Sequence, residues 1–143
     1  MRRYLLILVI TLLTATAHSQ TNDQLVEICV DGLVDATYLK DFQVEHSAAE
    51  PGQRPPTARY SMMLNKNKQY RLSICTSDSA SEKGIIQLFD NRGLLGTNYI
   101  EESGTIYPFF DIQIQSTAVY HIFIYFKDGV PGSAVGVLSL VKN

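Results

Sequence analysis

Tyr120-His121-Ile122-Phe123-Ile124-Tyr125-Phe126 is the most apolar strand-like stretch of the chain downstream of residue 20, and its phase decides the class of fold. Successive side chains of an extended chain point to opposite faces, so Tyr120, Ile122, Ile124 and Phe126 share one side. His121, Phe123 and Tyr125 share the other. Isoleucine and aromatic side chains are the types that fit a pleated, half-buried surface.

The same alternation recurs on both sides of this stretch. Tyr38 to His46 sets Phe42 and Val44 against Asp41, Gln43 and Glu45, and Tyr60, Met62 and Leu64 alternate in turn. Tyr70, Leu72 and Ile74 oppose Arg71, Ser73 and Cys75, while Phe110, Ile112 and Ile114 oppose Asp111, Gln113 and Gln115. Gly84 to Phe89, Leu94 to Ile100 and Ala134 to Val141 complete the set of strands. Between them lies turn chemistry: Pro51, Gly52, Pro55 and Pro56, then Asn65 to Lys68, the polar loop Thr76 to Lys83, Asp90-Asn91-Arg92-Gly93, and Asp128 to Gly132. About eight short strands at intervals of roughly 8–12 residues are the rhythm of an all-β sandwich or barrel. No helices separate the strands, which argues against a parallel α/β sheet. The expected architecture is a jelly-roll-like β-sandwich of about eight antiparallel strands.

One helix precedes the strands. From Asn22 to Val34, Leu25, Cys29, Leu33 and Ala36 fall at near-helical spacing with Val26, Val30 and Val34 beside them. Thr21 or Asn22 supplies a cap, and Gly32 shortens the helix to about residues 22–31.

Upstream, Met1-Arg2-Arg3 is followed by the apolar run Tyr4 to Leu13 and the small residues Thr14 to Ser19. Basic, apolar and small-residue segments in that order form an export signal over residues 1–19. The apolar part is about half of the roughly twenty residues that a spanning helix needs. Two cuts fit, after Ala17 or after Ser19. No Cys follows the apolar run directly, so no lipid anchor is expected at the new terminus. Cutting after Ser19 leaves a domain of 124 residues, 20–143, with ten basic and fourteen acidic side chains and a net charge of −4. A mildly acidic chain without a basic cluster excludes nucleic acid and anionic lipid as partners. No segment of the mature chain is apolar for long enough to span a membrane.

Cys29 and Cys75 are the two cysteines of the chain. An even count in an oxidising compartment favours a disulfide; the alternative is a pair of buried thiols. Cys75 shares its face with Arg71 and Ser73, away from Tyr70, Leu72 and Ile74, and Cys29 sits on the apolar stripe of the helix. A Cys29–Cys75 bridge therefore implies a helix packed on the outside of one sheet.

Three local patterns carry a family resemblance: Tyr70-Arg71-Leu72-Ser73-Ile74 after an Asn/Lys turn, Ile86 to Phe89 running into Asp90-Asn91-Arg92-Gly93, and Ala118 to Ile124 before a Gly-containing last strand. Over Tyr70 to Val141 the chain resembles the bacterial pre-peptidase C-terminal domains and the collagen-binding domains of secreted collagenases. It is similar, too, to small exported proteins that carry one such domain behind a helix bearing a Cys. The resemblance implies a jelly-roll sandwich; unlike the appended domains, this one is expected to stand without a catalytic domain beside it. Some collagen-binding domains of this type bind calcium through acidic residues near their start. The corresponding candidates are Asp23, Glu27, Asp31 and Asp35, four residues apart. On one continuous helix such a ladder stacks like charges, which a cation with oxygen ligands offsets; the plainer reading is a solvated acidic face.

Chemistry has few candidates. His46 and His121 are the histidines of the mature chain, no Gly-x-Ser-x-Gly elbow is present, and no Cys/His set has zinc spacing. Phe109, Phe123 and Tyr125 lie out of phase with the core-facing aromatics and are the candidate binding residues. Uncovered, they stack on sugar rings or anchor a protein; the competing expectation is that a helix or loop buries this second side of the 120–126 strand. The chain thus reads as an exported non-catalytic binding or structural module at the cell envelope, periplasmic or extracellular. Its expected partner is an envelope or extracellular protein or glycan, an accessory role in an envelope complex included, with no cofactor. The alternatives are a small secreted hydrolase built on His46 or His121 and a calcium-stabilised adhesion domain.

Overall fold

A computed structural model describes residues 21–143; the export signal expected over residues 1–19 lies outside the described residues. Thr21 opens helix α1 (Asn22–Asp31) with a capping box: its hydroxyl accepts from the Gln24 amide while the Gln24 side chain accepts from the Thr21 amide. Gly32 closes the helix, so Ala36, expected on its stripe, instead starts the first strand. A ten-residue helix is marginal alone. It persists here because Leu25 and Cys29 bury against Val135 and Val137, each such side chain contributing about 1.5–3 kcal/mol.

Ten strands follow: β1 (Ala36–His46), β2 (Thr57–Leu64), β3 (Gln69–Thr76), β4 (Gly84–Asp90), β5 (Gly93–Thr97), β6 (Tyr99–Ile100), β7 (Thr105–Ile106), β8 (Phe109–Gln113), β9 (Ala118–Phe126) and β10 (Gly132–Val141). A single 3-10 turn, Lys127–Gly129, joins β9 to β10. The first sheet has the order β1-β10-β3-β8, the second β2-β9-β4-β5, and β6 and β7 form a small hairpin of their own. All pairings are antiparallel, and they nest: β1 with β10, β2 with β9, β3 with β8, β4 with β5. A long hairpin rolled over itself gives that nesting, which is the connectivity of a jelly roll.

The strand phases read from the sequence meet in the core. Phe42, Val44, Leu72, Ile74, Ile122, Ile124 and Phe126 pack in one buried cluster, with Tyr60, Met62, Phe110 and Ile112 against it. Gly96 of β5 lets the two sheets approach closely, since a Cβ there would stand 2.5 Å from the Phe110 ring. Gly96→Ala is expected to lower stability by about 1–2 kcal/mol, measured by urea unfolding. A neutral result would mean that Phe110 swings aside without cost.

One expected strand is broken. Leu94 to Ile100 divides at Asn98, whose amide still donates to the Ile86 carbonyl at 3.3 Å while its fully buried side chain bonds further backbone groups. Its Oδ1 accepts from the Ile86 amide at 2.8 Å, and its Nδ2 donates to the carbonyls of Gly84 at 3.3 Å and Tyr107 at 2.9 Å. Those bonds end β5 and send the chain into the β6–β7 hairpin.

Candidate functional site

The two outer faces of the sandwich are treated differently. Over the first sheet, α1 lies on β10 and β3 and is joined to them by the Cys29–Cys75 disulfide, with Cα atoms 5.6 Å apart. Ala134 to Ser139 of β10 are consequently buried on both sides. The cover expected over the 120–126 strand falls on β10 instead. The outer side of β9 is open over His121, which is exposed, and Phe123, which is half-buried, and closes towards Tyr125, half-buried beside the fully buried Ile85. The reason is the pairing order: β10 lies second in the sheet that Cys75 ties to the helix, whereas β9 lies in the other sheet.

On the outer face of the second sheet, register places side chains in rows. Met63 stands beside Val119, Ser61 beside His121 and Phe89, Arg59 beside Phe123 and Gln87, and Thr57 beside Tyr125. Phe123 is held on both flanks. Its ring centroid is 4.7 Å from that of Phe89, and the Arg59 guanidinium carbon lies 5.0 Å from it. Arg54, Pro55, Thr57, Arg59, Gln87, Phe123 and Tyr125 line an open groove of about 390 Å³. Burial, with lesser contributions from Tyr99 and Glu101, pushes the Tyr125 phenol above its ordinary value, so it stays neutral and a hydrogen-bond donor at physiological pH. Further along the face, Met63 and Val119 are 61% and 49% exposed, a continuation of the apolar surface.

Phe109, the third aromatic candidate, belongs elsewhere. It lies on β8 in the first sheet, paired with Ser73, on the side of the sandwich that carries the helix. The guanidinium carbon of Arg71 sits 4.1 Å from the Phe109 ring centroid. Arg71 also donates to both Asp111 carboxylate oxygens, at 2.7 and 2.8 Å, and to the Val34 carbonyl at 2.8 Å. The hydrogen bonds to Asp111 raise the Arg71 pKa further above its already high ordinary value. Phe109 thereby faces a second groove, of about 460 Å³, beside Ile28, Val34 and Cys75. The three aromatics of the sequence reading do not form one site.

The histidines are also apart. The His46 Nε2–H donates to the Ile124 carbonyl at 3.2 Å and its ring meets Phe126 edge-on, which braces the end of β1 against the core side of β9. His121 is on the outer side, its Nδ1 3.0 Å from the Ser61 hydroxyl. A hydroxyl beside an imidazole has the first two parts of a nucleophilic site. This pair stands on an exposed strand face, and none of the grooves described above is lined by it. The acidic ladder is not a ladder: Asp23, Glu27 and Asp31 lie on α1, but Gly32 ends the helix and Asp35 turns away with φ 52°. Among the described residues, no group of three or more His, Cys, Asp or Glu side chains is arranged to hold a metal ion.

Arg54, Arg59, Gln87 and Phe89, which frame Phe123 and its groove, were not among the candidates of the sequence reading. Arg59 was legible by phase, opposite Tyr60 and Met62 on β2. Gln87 and Phe89 were legible likewise, opposite Ile86 and Leu88. Arg54 comes from the proline loop, where no periodicity operates.

No protein-family model and no curated protein matches the sequence. Solved structures are similar in shape. A periplasmic inhibitor of g-type lysozyme from Aeromonas hydrophila shares 9% identity, over 76% of this chain and 90% of that one, with a TM-score of 0.53. The pre-peptidase C-terminal domain of a collagenase from Bacillus anthracis shares 12% identity, over 71% of this chain and 89% of that one, with a TM-score of 0.48. The likeness to the inhibitor is one of fold: the chain is an all-β sandwich of that architecture.

Proposed function

We propose that this chain is an exported, non-catalytic module that binds a protein outside the cytoplasm through the outer face of the β2-β9-β4-β5 sheet. The observation that carries the reading is the asymmetry of the sandwich. A helix and a disulfide cover one sheet, while the other presents half-buried aromatics, arginine and exposed Met63 and Val119 on a broad face. Aromatic side chains, Met and Arg are the types enriched in protein interfaces. A glycan fits less well, because Arg59 and Phe89 pack against the Phe123 ring and compete with a sugar for its faces. The disulfide supports export, since such bridges persist in oxidising compartments. Among the described residues no helix is long and apolar enough to cross a membrane. The scaffold is one that a periplasmic lysozyme inhibitor also uses, a protein whose role is to act on another protein.

The test is affinity isolation of the tagged mature chain from the envelope fraction of its own host, with Phe123→Ala in parallel. Phe123 is half-buried on an outer face, so its removal is expected to leave the fold intact, checked by circular dichroism. The native chain is expected to recover a protein in stoichiometric amount and the variant to recover about tenfold less or lower still. Equal recovery by both would remove this face from the function.

A further inference from the structure

We propose, on the reading that this sheet face is the docking surface, that its groove takes an Asp- or Glu-bearing segment of the partner protein. The groove is lined by two guanidiniums, Arg54 and Arg59, with the Thr57 hydroxyl and Gln87 amide beside them; no acidic side chain is among its lining residues, and Glu101 acts only on the Tyr125 end. That is a local reversal of sign on a domain whose net charge is −4 over residues 20–143. The other arginines of the described chain are committed, Arg71 to Asp111 and Arg92 to Asp90. Arg54 and Arg59 have no acidic partner among the described residues. Guanidinium is the side chain whose fork of donors matches a carboxylate in two parallel bonds. Stacking on Phe123 restricts Arg59 without consuming those donors, so less side-chain entropy remains to be lost on binding.

The alternatives meet this face less well. A second copy related by a two-fold axis through the groove opposes Arg59 to Arg59, because such a contact uses the same patch on both subunits. An anionic glycan satisfies the arginines but leaves the apolar extension over Met63 and Val119 in water, whereas a protein partner covers both. The long-range field of the domain repels an acidic protein weakly. At physiological salt that field is screened beyond about 8 Å, so the two local arginines decide the contact.

The test places a photo-crosslinking phenylalanine analogue at Gln87 in the full exported chain, produced in its own host, and maps the captured peptide by mass spectrometry. The expected adduct is a segment of a different protein that carries Asp or Glu. Its yield is expected to fall about tenfold or more in Arg54→Gln/Arg59→Gln and to survive in large part in Arg54→Lys/Arg59→Lys, which keeps the charges. Replacing the captured carboxylate by Arg is expected to restore crosslinking to Arg59→Glu. An adduct on a second copy of this chain, on a glycan, or on a segment without carboxylates overturns the proposal. So does an undiminished yield in the Gln variant. Loss of partner recovery in Phe123→Ala with full recovery in the Gln variant keeps the docking face and discards the acidic segment. Indifference to both substitutions discards the two together.

Discussion

Cys29→Ala combined with Cys75→Ala is expected to lower the thermal midpoint by roughly 10–15 °C, the consequence of losing about 3–4 kcal/mol. The bridge spans 46 residues, and closing a loop of that length removes unfolded-chain entropy equivalent to about 4 kcal/mol. It also holds a ten-residue helix that is too short to persist without its packing. Leu25 and Cys29 are the fully buried members that α1 contributes to the small cluster with Val135 and Val137. Once the covalent tie is gone, undocking exposes both valines on a strand that is otherwise buried on two sides. Scanning calorimetry measures the midpoint, and hydrogen exchange in α1 reports the helix itself. Amide protection in α1 is expected to fall before that in β9. A midpoint drop of less than about 3 °C would mean that the helix docks by packing alone.

Asn98→Leu is expected to cost about 3 kcal/mol, the next largest effect, because it strands three backbone partners at once, two in buried bonds and one in a part-buried bond. The Ile86 amide loses its acceptor, and the Gly84 and Tyr107 carbonyls lose their donor. Leucine has the same branching but bulkier methyl groups, so at this fully buried site overpacking adds to the loss of hydrogen bonds. Asn98→Asp is no rescue: it keeps an oxygen for the Ile86 amide and sets the other against two carbonyl oxygens. Urea unfolding measures the cost, and a loss below about 1 kcal/mol would show that water or a shift of the β6–β7 hairpin satisfies the freed groups. The cysteine substitutions lie on the other side of the sandwich, so partner binding at temperatures below the midpoint is expected to persist in that variant, whereas Asn98 bonds β4 itself beside Gln87.

The two variants probe different kinds of information. Phe42 and Val44, Tyr70 to Ile74 and Tyr120 to Phe126 have a period of two that is written in the residues themselves, and they meet in the core as their phases require. Asn98 interrupts a stretch whose local pattern favours a strand, and its partners lie nine, twelve and fourteen residues away. Nothing in a window of neighbouring residues distinguishes it from a strand asparagine facing water. The same holds for the candidate site. Phe109 and Phe123 look alike by phase, yet one lies beneath Arg71 on the helix side and the other beside Arg59 on the open side. Arg54 enters the groove from a loop that has no period at all.

By itself the sequence determined which side chains share a face, where the turns outside the β6–β7 hairpin fall, that one short capped helix precedes the strands, and that Cys75 points away from the core. Those are local properties, set by the alternation of a pleated chain and by the backbone preferences of Gly, Pro, Asn and Ser. Only the tertiary structure decided which outer face is covered and which is left open. That follows from pairings such as β1 with β10 and β2 with β9, between segments far apart along the chain. A two-residue period specifies that a strand has two faces. The order of strands in the sheets specifies what, if anything, each face meets.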